Sequence, residues 1–109
     1  MSSFFAENIK IANKEIGHSK PVFIVAEIGI NHNGDMNLAK KMIDAAARAK
    51  VDSVKFQNYI TEDFLSSDTT LEWEYENASG TVRESQYDMF KRCELSEANV
   101  QELKTYCDS

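Results

Sequence analysis

Glu27, Lys55 and Gln57 are polar residues set where the chain is otherwise apolar. Glu27 closes the run Val22-Phe23-Ile24-Val25-Ala26, and Lys55 sits inside Ser53-Val54-Lys55-Phe56-Gln57. A charge buried without a partner costs several kcal/mol, so each must be compensated. An ion pair between neighbouring strands would do that and nothing more. The same two groups also suit chemistry. A lysine at a strand end anchors a phosphate or carboxylate. A glutamate there orients a hydroxyl or takes part in proton transfer. Gln57 follows Lys55 by two residues and so shares its side of a strand. A neutral amide beside an ammonium group fits a polar, sugar-like ligand, and it fits equally a satisfied buried amide.

Asn31-His32-Asn33-Gly34 is a tight polar turn after the first apolar run, with Gly34 free to take a positive φ. A lone His such as His32 more often hydrogen-bonds backbone than binds metal. Residues 71–79, Leu-Glu-Trp-Glu-Tyr-Glu-Asn-Ala-Ser, mix aromatics with acids. Aromatic faces stack on sugars, but they also anchor long loops. Cys93 and Cys107 match neither a CxxC metal pair nor a disulfide scaffold, and both are read as reduced thiols.

The elements that must carry these groups follow from periodicity. Ile9, Ile11 and Ile16 alternate with polar neighbours around Asn13-Lys14, which predicts two short strands and a turn over 8–18. Residues 22–26 do not alternate, which predicts a strand buried on both faces, as in a parallel sheet. Asp35 is a helix N-cap, and Leu38, Met42, Ala45, Ala46 and Ala49 form the apolar stripe behind it. The strand Ser53–Gln57 completes a βαβ unit, whose strands pair in parallel. Residues 60–83 read as a long irregular polar loop, and Gln86–Arg92 as a short helix. Ser96 caps a last helix with Glu97 in its first turn and Leu95 and Val100 as the hydrophobic staple. Val100, Leu103, Tyr106 and Cys107 form its stripe. In such sheets, function gathers at the C-terminal ends of strands, where Glu27 and Lys55 lie.

The 109 residues suffice for one small domain, and 42% hydrophobic with 28% charged residues is ordinary for a globular chain. A formal net charge of −6 argues against nucleic acid or an anionic membrane surface as a partner. Residues 1–19 lack a signal-peptide apolar core, and no stretch reaches the roughly 18 apolar residues of a membrane span. A cytoplasmic protein is expected. Two parallel strands with two helices leave sheet faces uncovered, and a complete barrel needs roughly 250 residues. The chain is therefore expected to be a piece of a larger α/β protein.

The stretch Phe23-Ile24-Val25-Ala26-Glu27-Ile28-Gly29-Ile30-Asn31-His32-Asn33-Gly34-Asp35 resembles the N-acetylneuraminate (sialic acid) synthase family. Val54-Lys55-Phe56-Gln57 and Cys93-Glu94-Leu95-Ser96 carry the same resemblance, which covers about residues 8–107. Pseudaminic acid, legionaminic acid and spore-coat polysaccharide synthases belong to this family. The resemblance implies an α/β fold: the N-terminal part of a TIM (β/α)8 barrel, preceded by a β-hairpin. Residues 1–20 would form the hairpin and 21–109 the first two βα units. The rest of the barrel and a C-terminal antifreeze-like domain would lie outside the chain. The implied reaction condenses phosphoenolpyruvate with N-acetylmannosamine or a related N-acetylated hexose and releases phosphate. Glu27 would match the active-site glutamate of the first strand, Lys55 the lysine holding phosphoenolpyruvate, and Gln57 an amide near the sugar. Asn77 is the nearest candidate for a loop asparagine that contacts the sugar. A divalent metal, Mn2+, is implied, with histidine ligands on later strands, and His32 matches a position that is not a ligand. A homodimer is implied for the full-length protein, and the isolated 109-residue piece is expected to be inactive. The alternatives are another phosphoenolpyruvate-dependent 3-deoxy-sugar acid synthase of TIM-barrel type, or a piece that acts only through assembly.

Overall fold

The computed structural model describes residues 4–68 and 70–109. Residues 1–3 of the expected N-terminal unit and Thr69 of the expected loop lie outside the described residues. The chain opens with an antiparallel hairpin, β1 (Asn8–Ile11) and β2 (Lys14–Gly17), in which Ile9 faces Ile16. Ala12 takes a φ of 52° to close the turn. The strands foreseen from the isoleucine alternation are thus present. Lys14 forms an ion pair with Asp52, whose carboxylate also accepts from the Ile24 amide (2.7 Å). These two bonds fasten the hairpin to the N-terminal end of the parallel strands, opposite the end that bears the polar residues. The Lys14 bond is also the leading reason that Asp52 is held below its usual carboxylate range.

Strand β3 (Val25–Gly29), helix α1 (Met36–Arg48) and strand β4 (Ser53–Phe56) form the expected βαβ unit, with β3 and β4 parallel. Asp35 caps α1 by accepting from the amides of Asn37 and Leu38. The helix buries Ala39, Ile43 and Ala46, so its stripe lies one position along from the Leu38, Met42, Ala45 and Ala49 set apart from Ala46. Small side chains at 39 and 46 let the helix approach the strands, and Ile43 fills the gap between them. The strand also differs from expectation. It starts at Val25 rather than Val22, and Val22, Ile24 and Val25 are exposed rather than buried. One face of the parallel pair meets α1 and the last helix, while among the described residues no layer lies against the other.

The largest departure is in residues 60–83. Instead of an irregular loop, β5 (Glu72–Asn77) and β6 (Gly80–Ser85) form an antiparallel hairpin, with Trp73 opposite Glu84 and Tyr75 opposite Val82. Glu-Trp-Glu-Tyr-Glu-Asn alternates with period two, which is the strand signature. It was hidden because every second residue is an acid rather than a mildly polar residue. Ala78 and Ser79 make the turn, and Gly80 takes a φ of 112°. The segment before the hairpin is also ordered by contacts. Thr61 is fully buried and donates from its amide (3.0 Å) and hydroxyl (2.7 Å) to Glu94. Tyr59, Phe64 and Phe90 pack edge to face, with ring centroids 5.3–5.6 Å apart.

Helix α2 (Gln86–Cys93) is capped by Ser85, and helix α3 (Glu97–Asp108) by Ser96. The Ser96 cap is a full capping box, because Asn99 returns a bond to the Ser96 amide. Ile28, Ala39, Ile43, Leu95 and Leu103 form the core, with Met36, Val54, Phe56, Val100 and Tyr106 packed around it. Full burial of one such large aliphatic side chain is worth about 1.5–3 kcal/mol. The radius of gyration is 18.2 Å, against about 13 Å for a compact domain of this length. A thin core and an open sheet face are consistent with part of a larger α/β domain.

Candidate functional site

The site is built at the C-terminal ends of β3 and β4. Register sets Glu27 beside Lys55, and then slips, so that Gly29 rather than Ile28 faces Phe56. This bulge turns Ile28 into the core at 4% exposure and leaves Glu27 on the open face. Bulges recur beside active sites because they re-aim single side chains. Gly29 itself has a φ of 59°. A methyl group at Gly29 would lie 3.3 Å from Glu27 Oε1 and 3.7 Å from Gln57 Nε2. Glu27 and Gln57 therefore converge over the one residue that leaves room for them.

Lys55 Nζ lies 3.0 Å from Glu27 Oε2, and the two side chains are 66% and 49% exposed. The pair is neither buried nor desolvated, so the sequence argument that burial demands compensation does not apply here. Exposure leaves both groups free to exchange their partner for a ligand. The structure thus brings three of the foreseen residues, Glu27, Lys55 and Gln57, to one place. Asn77 is elsewhere, at the turn of the β5–β6 hairpin, where its Oδ1 accepts from the Ser79 amide (2.8 Å). No contact among the described residues joins it to the other three. Gly29 was missed in the sequence, although a glycine two residues after a strand-end glutamate is a signal for a bulge.

The loop that leaves Gly29 is held rigidly. Asn31 closes a turn with its amide and side chain both donating to the Ile28 carbonyl (3.1 and 3.0 Å). His32 is fully buried, and its Nδ1 accepts from the Gly34 amide at 3.0 Å. An accepting Nδ1 puts the proton of the neutral ring on Nε2, which has no partner among the described residues. Burial lowers the His32 pKa. His32 stacks obliquely on Phe56, with centroids 5.9 Å apart, so it supports the loop from below. Gly34, at φ 78°, sits against the Arg92 carbonyl, where a methyl group would come within 2.3 Å.

Among the described residues no group of three or more His, Cys, Asp and Glu side chains could hold a metal ion. Glu27 is the one carboxylate of the trio and is paired with a cation, which is not a donor set for a divalent metal. Cys93 is buried and its thiol is pushed up by burial, while Cys107 is exposed; both are free thiols. No helix among the described residues is long and apolar enough to cross a membrane.

Comparison with known proteins shows what the chain is similar to as a whole. The chain is 43% identical over 84 residues to an N,N'-diacetyllegionaminic acid synthase of Legionella pneumophila, covering 77% of this chain and 23% of that one. It is 36% identical over 94 residues to the human N-acetylneuraminate-9-phosphate synthase, covering 85% of this chain and 25% of that one. In three dimensions it matches the crystal structure of a sialic acid synthetase from Leptospira borgpetersenii in complex with citrate. There the TM-score is 0.73 at 34% identity, over 93% of this chain and 30% of that one. The chain thus spans about a quarter of the length of the curated relatives it matches. These relatives are sialic-acid-type synthases, and the chain shares the α/β fold of the Leptospira synthetase over the part it covers. The profile of the NeuB family matches residues 42–109, and the chain belongs to the NeuB family.

Proposed function

We propose that this chain forms the first quarter of a synthase that condenses phosphoenolpyruvate with N-acetylmannosamine or a related N-acetylated hexose. The product is a sialic-acid-type nonulosonic acid, and phosphate is released. The observation that carries the proposal is the exposed Glu27–Lys55 pair on adjacent parallel strands, with Gln57 converging on Glu27 over Gly29. In this reading β3 and β4 are the first two strands of a closed (β/α)8 barrel. Residues 1–20 form a separate hairpin unit and residues 21–109 the first two βα units. The open face of the strands looks into the barrel.

Lys55 then carries the anionic end of phosphoenolpyruvate as a point charge. C3 of phosphoenolpyruvate bonds to the aldehyde carbon of the open-chain sugar, water adds to C2, and phosphate leaves by C–O cleavage. Glu27 orients a reacting hydroxyl or moves a proton, and Gln57 donates to the sugar. Asn77, at the turn of the β5–β6 hairpin, is the candidate for a further contact to the sugar. The divalent metal expected from the family resemblance, Mn2+, would take its ligands from sequence beyond this chain, since the trio offers no metal site. The working unit is a cytoplasmic homodimer of the full-length protein, and the isolated chain is inactive. The test is phosphate release by the full-length protein given phosphoenolpyruvate and N-acetylmannosamine. Release that depends on the sugar supports the proposal. Release that requires a sugar without the N-acetyl group points to the wider 3-deoxy-sugar acid synthase class, and no release refutes both.

A further inference from the structure

The Arg92 guanidinium joins three separate elements. Its Nη2 donates to Glu84 Oε1 on β6 at 2.6 Å and to the Tyr75 hydroxyl on β5 at 3.5 Å. Its Nε donates to Glu84 Oε2 at 3.5 Å. Its Nη1 donates to the Asn33 carbonyl at 3.3 Å, across 59 residues of sequence. The Arg92 carbonyl meanwhile abuts Gly34. One residue at the end of α2 thus grips the β5–β6 hairpin on one side and the loop leaving Gly29 on the other.

The hairpin face it grips is distinctive. Trp73, Tyr75, Val82 and Glu84 share that face by register, and Trp73 and Tyr75 remain 47% and 38% exposed. The opposite face carries Glu72, Glu74 and Glu76 against the single cation Arg83. So acidic a hairpin repels an anionic substrate, whereas half-exposed aromatic rings suit the C–H face of a neutral sugar.

We infer that Arg92 is a positioning residue that latches the aromatic face of the β5–β6 hairpin to the Asn31–Gly34 loop, and so sets affinity for the neutral sugar rather than for phosphoenolpyruvate. This rests on the proposed condensation. Arg92 touches no reacting atom; it acts through the hairpin and the loop. Glu84 is the partner that keeps the guanidinium in place, and Arg92 in turn holds the Glu84 carboxyl below its usual range.

The experiment uses the full-length protein with Arg92→Ala, Arg92→Lys and Glu84→Gln. Two readouts are taken: steady-state kinetics with N-acetylmannosamine and phosphoenolpyruvate, and amide hydrogen exchange over residues 31–34 and 72–85. Arg92→Ala is expected to raise the KM for the sugar by about tenfold or more, because the latched arrangement that meets the sugar loses a charged hydrogen bond and with it about a decade of population. The KM for phosphoenolpyruvate and kcat should stay within about twofold, the pattern of lost uniform binding. Arg92→Lys, which keeps the charge but not the fork, should recover part of the sugar affinity, and Glu84→Gln should fall between. Exchange should quicken in both segments together. Equal rises in both KM values, or an unchanged sugar KM, would overturn the substrate role. Unchanged exchange in Arg92→Ala would overturn the latch itself, whatever the activity. An inactive parent protein would instead refute the proposed condensation and with it the sugar role, leaving the exchange measurement to judge the latch.

Discussion

Replacing Lys55 by alanine separates a structural role for the Glu27–Lys55 pair from a role in binding. The two side chains are 66% and 49% exposed at 3.0 Å. A pair that open to water contributes about 0–1 kcal/mol to stability, because solvent screens it and two long side chains must be ordered. Lys55→Ala should therefore change the unfolding free energy by no more than about 1 kcal/mol. Binding responds differently. If Lys55 holds the anionic end of phosphoenolpyruvate, the variant loses one charge-assisted hydrogen bond, worth about 1.5–3 kcal/mol. At about 1.4 kcal/mol per decade, that is a loss of about 10- to 140-fold in affinity. Glu27, no longer neutralised, then faces the anion directly, so the figure is a lower limit. Titration calorimetry of the full-length protein with phosphoenolpyruvate, beside a urea unfolding curve, measures both quantities. Affinity within about twofold of the parent, together with a clear loss of stability, would refute the reasoning and leave the pair as a structural bridge.

Glu27→Gln keeps the shape and removes the charge. It should lower kcat by about 10²- to 10⁴-fold if Glu27 moves a proton, while the melting temperature barely shifts; normal turnover with a lowered melting temperature would refute the role. Gly34→Ala should destabilise by about 2–5 kcal/mol. A left-handed backbone costs an alanine about 1–2 kcal/mol, and a methyl group 2.3 Å from the Arg92 carbonyl adds overpacking of about 1–3 kcal/mol. A urea midpoint unchanged from the parent would contradict the close approach. For His32, the folded pKa is lowered from 6.5 by burial, so the unfolded chain binds the proton more readily. His32 therefore contributes stability that is fully present above about pH 6.5 and is lost as pH falls below it toward the lowered folded value. Imidazole NMR should show the Nε2–H tautomer and a midpoint below 6.5, and a midpoint at or above 6.5 would contradict the burial.

Much of the scaffold was legible because it depends on local physics. The isoleucine alternation before Pro21 announced the first hairpin, Asp35 and Ser96 announced helix starts, and strand–helix–strand order announced a parallel pair. Glu27, Lys55 and Gln57 stood out as polar residues interrupting apolar runs, and parallel pairing then brought them together. The β5–β6 hairpin was not read, since acids occupied the positions where a milder polar residue usually marks alternation. The exposed face of β3 was misjudged for a different reason. An apolar run reports residue type and not which face finds a neighbour, and the described residues supply a layer for only one face.

The sequence by itself determined which residues are polar at strand ends, where the helices begin, and which family the chain belongs to. The first two follow from residue type and short-range periodicity, and the family from the resemblance carried by residues 23–35 and 54–57, none of which needs knowledge of distant neighbours. Only the tertiary structure decided that the Glu27–Lys55 pair is open to water, that Gly29 makes room for Gln57, and that Arg92 ties Asn33 to Glu84. Each of these rests on residues from 28 to 59 positions apart meeting within a few ångströms, or on one hydrogen-bond register slipping by a residue. Separations of that kind are fixed by packing and pairing, and no local pattern encodes them.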